Sequence, residues 1–491
     1  QIRHKLQGGM NLSFFECCQD LFSELINQLP SSKMKLLVWP LFLFQSALAI
    51  VPYVSLGPRP FWLVDQMTDS FLKQELETCA NSMTSYSVSD FSIGHRGACL
   101  MFPEHTLESY KAAALQGAGV IECDVTFTKD RQLVCRHAQC DLHTTTDVVT
   151  RSDLNAKCTV PFAGNGTTPK CCTSDFTLDE IKTLCAKMDS FGNINATTPE
   201  EYAFGGTPDF RTELYAQACP RIPTHKESIE LINSFGAQFT PELKAPEVEM
   251  PYEGNYTQEA FAQQMIDEYI ELGIDPSRVW PQSFNELDVY YWIQNTDFGD
   301  QAVALDDSHI TPEEFGPWHE QLVGNGTRIV APAMWMLVAP RNDTTGKNGT
   351  SSLPITTSLY TLSAKEKGLD IITWTLERSE PGPTGYYWQS LEPTLGDKLT
   401  DGDKYTLLYI LYKEAGILGI FSDWPATVTF FANCMGIKLR AGMGSVADEE
   451  EEAEVVDPTT TTTSSTTVSS GASKAPFGVV LFSVMSTVLF T

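Results

Sequence analysis

Two histidines, His95 and His137, each end a short apolar run typical of a β-strand. Imidazole titrates near neutral pH, so histidine is the residue most often used to accept and release protons in catalysis. A lone histidine at a strand end is more often structural than catalytic, because a catalytic group needs a site built around it. The residues that neighbour this pair indicate such a site.

Two carboxylates, Glu122 and Asp124, lie two positions apart in another predicted strand. Side chains alternate along a strand, so both carboxylates point to one face. Ile121, Cys123 and Val125 then point to the opposite face, toward the helices that cover a sheet.

A divalent metal ion would resolve the repulsion between Glu122 and Asp124. Glu242, near the end of a later strand, offers a third carboxylate ligand. Ligation by carboxylate oxygens alone favours the hard ions Mg²⁺ and Ca²⁺ over zinc. We therefore expect a divalent cation, either Mg²⁺ or Ca²⁺, as the cofactor.

The elements that must position these side chains alternate between strands and helices from residue 90 to residue 436. The strand candidates are 91–94, 120–125, 133–135, 239–243, 279–282, 302–305, 328–330, 371–374 and 417–421. Helical spacing appears at 106–116, 258–272 and 363–367, with Thr106 as a helix N-cap. This alternation predicts a parallel sheet in an α/β fold, and the number of repeats favours a closed (β/α)₈ TIM-type barrel. An open doubly wound sheet is the alternative.

A set of short motifs occurs in order along this stretch and resembles the glycerophosphodiester phosphodiesterase family. The matching segments are 93–97 (IGHRG), 103–106 (PEHT), 121–125 (IECDV), 128–130 (TKD), 134–137 (VCRH), 241–244 (PELK), 282–284 (QSF), 372–375 (ITWT) and 421–425 (FSDWP). The resemblance runs from about Phe91 to Pro425, nearly the whole predicted barrel.

The resemblance implies a (β/α)₈ barrel in which Glu122, Asp124 and Glu242 hold the metal, and in which His95 and His137 are catalytic. In the family, the glycerol hydroxyl beside the ester attacks phosphorus. One histidine takes its proton and the other protonates the departing alcohol. Water then opens the cyclic phosphate with the roles reversed. The implied substrate is a small glycerophosphodiester, and the products are glycerol 3-phosphate and an alcohol.

Four further residues have expected roles around that chemistry. A phosphodiester is an anion, so Arg96 and Lys244 are expected to offset its charge, Arg as a planar fork and Lys as a point charge. Trp374 is expected to wall the substrate pocket, with a position in the core as the alternative reading. Glu104 is expected to support the residues that touch metal and substrate.

The sequence departs from the family pattern beside the second histidine. Members commonly carry His-Asp there, whereas this chain has His137 followed by Ala138. The carboxylate partner of His137 is therefore expected to be absent or to be supplied by Asp141.

Segment 152–220 interrupts the strand–helix rhythm and predicts a disulfide-pinned, glycosylated insertion on the barrel. It holds five of the chain's 13 cysteines. Two cysteines precede Met34, which leaves eleven, and because this number is odd at least one thiol should be unpaired. Their spacing alone does not give the pairing.

Both ends of the chain carry targeting signals. Residues 1–33 are expected to lie upstream of the natural start, and 34–49 have the basic, apolar and A-x-A parts of a secretory signal peptide. An acidic and Thr/Ser-rich stalk at 445–474 precedes an apolar tail at 475–491. Small residues before that tail indicate a GPI-anchor signal and a cell-surface location. A single-pass helix is the alternative, but the tail is short for one.

Glycosylation signals and charge agree with an extracellular enzyme. Six Asn-x-Thr sequons follow the signal peptide, at Asn165, Asn195, Asn255, Asn325, Asn342 and Asn348. The net charge of -29 argues against nucleic acid as a partner, because no basic surface would neutralise its phosphates. Two rival functions stay open, a phospholipase D-like enzyme acting on lysophospholipid or sphingomyelin, and a non-catalytic surface protein that keeps the barrel.

Overall fold

The computed structural model of the chain describes residues 53–164, 166–190, 192–212, 218–341, 353–380 and 388–437. The predicted signal peptide, stalk and anchor signal lie outside these residues, as do the sequons at Asn165, Asn342 and Asn348. Within the described ranges, no helix has the length and apolar character needed to cross a membrane.

Eight parallel strands close into a barrel, in the order β1-β2-β4-β5-β6-β7-β10-β11, and β1 pairs with both β2 and β11. The closure confirms the predicted TIM-type fold and excludes the open sheet. The strands are β1 (Ser89–Gly94), β2 (Ala118–Phe127), β3 (Leu133–Cys135), β4 (Gln238–Leu243), β5 (Gln282–Ser283), β6 (Val303–Asp306), β7 (Ile329–Pro332), β8 (Val338–Pro340), β9 (Ile355–Thr357), β10 (Asp370–Leu376) and β11 (Gly419–Ser422).

Strand β3 is not a barrel strand, which corrects the reasoning that put His137 at the end of one. It runs antiparallel to β2 and pairs Cys135 with Val125. The hairpin extends β2 beyond the barrel and then folds back toward it, because the Arg136 N–H donates to the Asp124 carbonyl at 2.8 Å. His137 thus reaches the C-terminal end of the barrel by a return path.

Helices cover the outside of the barrel and also form part of the insertion and the segment just before it. They are α1 (Arg59–Gln66), α2 (Phe71–Ser82), α3 (Leu107–Leu115), α4 (Leu142–Thr145), α5 (Ser152–Asn155), α6 (Leu178–Ile181), α7 (Pro199–Phe204), α8 (His225–Ser234), α9 (Gln258–Glu271), α10 (Glu286–Asn295), α11 (Pro312–Gly324), α12 (Leu359–Glu366), α13 (Glu392–Leu395), α14 (Lys404–Ile410) and α15 (Pro425–Cys434). Thr106 caps α3 as expected, because its side chain accepts from the Ser109 N–H. The helix predicted at 363–367 is the end of the longer α12.

The alternation of β2 divides its side chains between two apolar regions, as the sequence predicted. Ile121, Cys123 and Val125 pack in the large core between sheet and helices. Val120 belongs to a smaller cluster that fills the barrel interior, together with Ile93 and residues of the later strands. This interior packing forms the floor beneath the polar side chains at the C-terminal end of the barrel.

Helices α1 and α2 precede residue 90, where the sequence placed the start of the barrel domain. Arg59 of α1 donates to the buried Glu377 just after β10. Cys79 of α2 forms a disulfide with Cys434 at the end of α15. The segment before β1 is therefore integrated into the barrel by a buried ion pair and a covalent bond.

Five disulfides and one unpaired thiol account for the eleven cysteines after Met34. The pairs are Cys79–Cys434, Cys123–Cys135, Cys140–Cys172, Cys158–Cys171 and Cys185–Cys219. Cys99 is free and buried, which confirms the expected odd thiol. Three of the bonds hold the predicted insertion, which also has a small apolar core of its own.

We expect the Cys79–Cys434 bond to stabilise the barrel more than any disulfide of the insertion. It joins residues 355 positions apart, so its removal frees much more entropy in the unfolded chain than removal of Cys158–Cys171, which are 13 apart. Replacing Cys79 and Cys434 by Ser should lower the free energy of unfolding by about 2–4 kcal/mol. Denaturant unfolding of the Cys158/Cys171 double Ser variant is the matched control. An equal or larger loss in that control would contradict the prediction.

Candidate active site

His95 follows β1 directly and is held by a carboxylate from the other side of the barrel seam. Its Nδ1 lies 2.5 Å from Oδ1 of Asp423, which follows β11. Its Nε2 faces Glu122, with 3.8 Å between Nε2 and Oε2. Burial and the neighbouring Arg96 lower the pKa of His95 to about 4. The ring is therefore neutral near pH 7, with Nδ1 turned to Asp423 and Nε2 turned to the carboxylate cluster.

The backbone after His95 turns sharply, and the motif residues account for the turn. Arg96 has a φ of 55°, a left-handed conformation that is uncommon for a side chain other than glycine. Its N–H donates to Oε2 of Glu122 at 2.9 Å, which holds the turn against β2. Gly97 follows with a φ of 92°, and a Cβ there would lie 2.3 Å from Oγ of Ser109. The loop therefore packs on α3 too closely for any other residue at position 97.

Glu122, Asp124 and Glu242 converge as the sequence predicted. Asp124 and Glu242 are register partners on the adjacent strands β2 and β4. One carboxylate oxygen from each of the three residues lies within 4.8 Å of the others, and all three side chains are buried. This separation suits three oxygens that ligate one cation.

Polar neighbours fix two of these carboxylates while leaving one oxygen without a partner. Nε2 of His105 lies 2.8 Å from Oδ2 of Asp124, and the Gln282 amide donates to Oε1 of Glu122 at 3.1 Å. Oδ1 of Asp124 is buried and makes no hydrogen bond within the described structure. An orphaned carboxylate oxygen beside two other carboxylates is the arrangement that a divalent cation satisfies.

The surroundings of the cluster raise the pKa of two of its carboxyl groups and lower the pKa of the third. Burial, together with Asp124 and Glu242, raises the pKa of Glu122 well above its usual range. Burial also raises the pKa of Glu242 to about 7, although Lys244 opposes the shift. Burial alone would raise the pKa of Asp124, but Lys244, His105 and Arg96 hold it well below its usual range. The raised pKa values of Glu122 and Glu242 show that ionising all three carboxyl groups here is unfavourable. A bound cation would make the ionised forms favourable.

Two cations border the cluster. Nζ of Lys244 lies 2.5 Å from Oε1 of Glu242. Nη1 of Arg96 donates to Oε2 of Glu104 at 2.8 Å, so the predicted support by Glu104 takes the form of a buried ion pair. Nε of Arg96 lies 3.5 Å from Oδ2 of Asp124. Arg96 and Lys244 also line the open cavity, where an anion would meet them.

His137 lies in the same cavity and makes no hydrogen bond or ion pair with the described residues. Burial, with Arg96 and Lys244 close by, lowers the pKa of His137 well below its usual range. Asp141 does not supply the missing carboxylate, because its Oδ2 accepts from the Ala138 N–H at 3.1 Å. The sequence predicted that His137 either has no carboxylate partner or is paired with Asp141. In the described part of the chain, no carboxylate is bonded to His137.

The cavity above these residues has a volume of about 1150 Å³. Barrel strands β1, β2, β4, β5, β6, β10 and β11 each contribute to its lining at their C-terminal ends. Trp374 of β10 forms part of the wall, as predicted, and its indole N–H donates to the Ala331 carbonyl at 2.9 Å. Phe284 stands edge-on to the same ring, with 5.8 Å between centroids. The cavity thus combines a charged floor with aromatic walls.

The sequence model of the glycerophosphoryl diester phosphodiesterase family matches residues 95–294, from His95 to α10. The chain is also 25% identical over 271 residues to glycerophosphodiester phosphodiesterase GDPD6 of Arabidopsis thaliana, covering 49% of this chain and 69% of that protein. Residues 95–294 therefore belong to the glycerophosphoryl diester phosphodiesterase family. The family therefore matches the one that the motifs resembled.

Other similar proteins include a fungal one. A protein named "Extracellular protein" from Arthroderma benhamiae is 42% identical to this family member over 259 residues, which cover 51% of the chain and 100% of the relative. Among solved structures, an Oleispira antarctica phosphodiesterase in complex with sn-glycerol-3-phosphate has a TM-score of 0.42 at 19% identity, covering 69% of this chain and 95% of that one. A glycerophosphodiester phosphodiesterase from Agrobacterium tumefaciens has a TM-score of 0.37 at 16% identity, covering 69% and 97%.

Sequence reasoning missed several residues that organise the site of this phosphodiesterase. Asp423, which holds His95, lies inside the FSDWP motif, so the position was visible although its partner was not. Gln282 likewise lies in a quoted motif. Arg211 and Arg378, which both contact Asp423, lie in segments without a family motif. No sequence signal marked these two arginines.

Three further histidines, His143, His309 and His319, have their contacts away from the cavity. His309 bonds to Asp306 and stacks on Trp318, with 4.5 Å between ring centroids. His319 bonds to Ser363, and His143, which precedes the insertion, stacks on Tyr202 of the insertion. None of the three lines the cavity that holds His95 and His137.

Proposed function

We propose that this chain is a metal-dependent hydrolase that converts extracellular glycerophosphodiesters to glycerol 3-phosphate and an alcohol, with His95 and His137 as its acid–base pair. The observation that carries the proposal is the convergence of these histidines with three carboxylates and two cations in one cavity. Such a set provides proton transfer, charge neutralisation and substrate binding within reach of one phosphorus atom.

Glu122, Asp124 and Glu242 would hold the divalent cation, Mg²⁺ or Ca²⁺. The donor set is all oxygen, and the buried, unpartnered Oδ1 of Asp124 fits a ligand position. When bound, the cation polarises a phosphoryl oxygen and stabilises the charge that builds up on it. His105 and Gln282 keep two of the carboxylates in fixed orientations for this purpose.

Arg96 and Lys244 would bind the phosphodiester. Arg96 offers a planar fork whose Nη1 is held by Glu104, and its Nε has no hydrogen-bond partner in the described structure. Lys244 offers a single positive charge beside Glu242. Together they would offset the negative charge that otherwise repels an attacking oxygen.

His95 is proposed as the initial base. Burial opposes ionisation of Asp423, but Arg378, His95 and Arg211 outweigh it and hold the pKa of this carboxyl well below its usual range. Asp423 is therefore ionised and can only accept a hydrogen bond. The proton of neutral His95 then sits on Nδ1, and Nε2 keeps its lone pair facing the cavity. Nε2 can take the proton of the glycerol hydroxyl as its oxygen attacks phosphorus.

His137 is proposed as the initial acid. It has no carboxylate partner among the described residues. Burial and the positive charges of Arg96 and Lys244 lower its pKa and so disfavour its protonated form, and the negative charge of a bound phosphodiester would favour that form again. His137 would give its proton to the alcohol oxygen as the bond from phosphorus to that oxygen breaks. In the second stage, His137 takes a proton from water as the water oxygen attacks the cyclic phosphate. His95 then returns its proton to the glycerol oxygen that leaves phosphorus.

An extracellular location is part of the proposal. The five disulfides require an oxidising compartment, and a 42% identical relative is named an extracellular protein. The sequons at Asn195, Asn255 and Asn325 lie on exposed positions, as N-glycosylation requires. Anchoring through GPI stays a prediction from the sequence of the C-terminal tail.

A second candidate is a phospholipase D-like enzyme that acts on lysophospholipid, and one observation favours it. A cavity of about 670 Å³ adjoins the catalytic cavity and shares Phe210 and Ser379 with it. Its other lining residues include the apolar side chains of Leu56, Trp62, Leu100, Met101 and Trp424. An acyl chain on the glycerol would find apolar contacts there.

Metal binding should depend on Glu122 itself and not on the general acidity of the cavity. Glu122→Gln should weaken Mg²⁺ or Ca²⁺ binding at least about tenfold, because one charged ligand is lost. Isothermal titration calorimetry measures the affinity without reference to activity. Asp307→Asn, which removes one charge from the same cavity at an exposed position, is the matched control. Equal weakening in both variants, or no saturable binding to the wild type, would argue against the site.

Loss of either proposed acid–base residue should abolish most turnover. His95→Ala and His137→Ala should each lower kcat by about 10²–10⁴, the usual contribution of a general acid or base. The measurement is release of glycerol phosphate from glycerophosphocholine and glycerophosphoinositol, with and without a chelator. His309→Ala, a histidine outside the cavity, should leave the rate unchanged. Chelator-insensitive release, or no release from any headgroup, would refute the proposed mechanism.

The two substrate classes can be separated by a charge placed in the second cavity. Trp62→Glu should lower kcat/KM for lysophosphatidylcholine about tenfold, because a charged group disfavours an acyl chain beside it. It should leave kcat/KM for glycerophosphocholine unchanged. Leu362→Glu, at an exposed apolar residue of α12, is the matched control. If lysophosphatidylcholine is not hydrolysed, or if both substrates lose rate equally, the lysophospholipid candidate is rejected.

A further inference from the structure

Two arginines and two aspartates form a closed ring of ion pairs beside His95, and Asp189, Arg211 and Arg378 of this ring also line the cavity. Nη2 of Arg211 and Nη1 of Arg378 each lie 3.1 Å from Oδ2 of Asp423. The same arginines meet a second time at Asp189, where Arg211 Nη1 is 3.1 Å from Oδ1 and Arg378 Nη2 is 3.3 Å from Oδ2. Each charge in this Asp423–Arg378–Asp189–Arg211 ring therefore has two partners of opposite sign.

The ring joins two parts of the chain that the sequence treated as separate. Arg378 and Asp423 follow the barrel strands β10 and β11. Asp189 and Arg211 belong to the insertion, and both lie in the loop that the Cys185–Cys219 disulfide closes. The insertion is thus in contact with the catalytic centre through two charged residues and is not only a decoration of the barrel surface.

The two arginines of the ring bind the carboxylate oxygen of Asp423 that is not bonded to His95. Oδ1 of Asp423 bonds to Nδ1 of His95, whereas Oδ2 receives both arginines. The Asp423 side chain is fully buried, and the Arg211 side chain is 2% exposed. Because both oxygens are bonded, the carboxylate cannot rotate without breaking charge-assisted hydrogen bonds. Its orientation sets that of the imidazole.

Arg211 also ties this arrangement to the loop after β1. Its Nη1 donates to the Cys99 carbonyl at 3.0 Å, four residues after His95. Arg378, in turn, lies 3.8 Å from Glu104, the residue that holds Arg96. The ring therefore contacts Asp423 and Glu104, the residues that hold the proposed base and the proposed phosphate ligand.

We propose that Arg211 and Asp189 are positioning residues for His95, so that the disulfide-closed loop of the insertion completes the catalytic apparatus of the barrel. The inference rests on the proposed function of His95. It assigns the insertion a role in turnover, and it makes that role depend on the Cys185–Cys219 bond, which fixes the two ends of the loop.

The first experiment compares substitutions at Arg211 within the full chain. Arg211→Met should lower kcat for glycerophosphocholine by about 10- to 100-fold, because a misoriented base loses rate in this range. KM should change less than kcat, because Arg211 is proposed to act through Asp423 and His95. Arg211 also lines the cavity, so a rise in KM as large as the fall in kcat would show substrate binding by Arg211 and overturn the positioning role. Arg211→Lys, which keeps the charge, should recover part of the loss. Arg151→Met, at a partly exposed arginine near the start of the same insertion, should behave as wild type.

A second readout does not require turnover. The proton shared by His95 Nδ1 and Asp423 across 2.5 Å should give a downfield ¹H resonance, assigned by its absence in His95→Ala. We expect the resonance to shift or disappear in Arg211→Met and in Asp189→Asn, and to persist in Arg151→Met. If the wild type hydrolyses no glycerophosphodiester, the proposed function fails while this measurement still tests the ring.

Removal of the Cys185–Cys219 disulfide is an independent test of the proposal. Replacing Cys185 and Cys219 by Ser should lower kcat and weaken the resonance, whereas replacing Cys158 and Cys171 should change neither while both proteins stay folded by circular dichroism. Asp189→Asn serves if the Cys185/Cys219 variant does not fold. The inference is overturned if Arg211→Met keeps the wild-type kcat together with an unchanged His95 resonance, or if both disulfide variants lose activity equally.

Discussion

Three buried carboxylates, with one oxygen of each within 4.8 Å of the others, set the main physical constraint on this protein. Burial and the proximity of like charges raise the pKa of Glu122 and Glu242, and Oδ1 of Asp124 has no partner in the described structure. Arg96 and His105 contact Asp124, and Lys244 contacts Glu242, so polar groups rather than apolar side chains surround these carboxylates. A divalent cation is the remaining component that the arrangement calls for.

That constraint explains the organisation of the rest of the catalytic end. Glu122 holds the turn of Arg96 through its backbone N–H, and the same turn carries His95 to Asp423. The pairing of β1 with β11 fixes the separation between His95 and Asp423, because Gly94 and Ser422 are register partners across the seam of the barrel. The His95 N–H donates to the Ser422 carbonyl at 3.1 Å, so the backbone itself brings the imidazole beside the carboxylate that orients it.

Three of the disulfides connect the barrel with the elements added to it or secure those elements. Cys79–Cys434 ties the segment before β1 to the last helix, whereas Cys123–Cys135 secures the β2–β3 hairpin that returns His137 to the cavity. Cys185–Cys219 closes the loop that reaches Asp423 through Arg211. Each of these three bonds thus joins an element outside the eight-stranded barrel to a second part of the chain.

The sequence by itself determined the barrel, the convergence of Glu122, Asp124 and Glu242, and the membership of His95 and His137 in one site. The convergence of the carboxylates follows from local rules, since side chains alternate along β2 and parallel strands end on one side of a barrel. The closed barrel and the place of His137 followed from the resemblance of the ordered motifs to a known family. Only the tertiary structure decided that β3 is antiparallel, that His137 lacks a partner among the described residues, and that Asp423 and Arg211 stand behind His95. These contacts join residues up to 328 positions apart, and no local pattern encodes such distances.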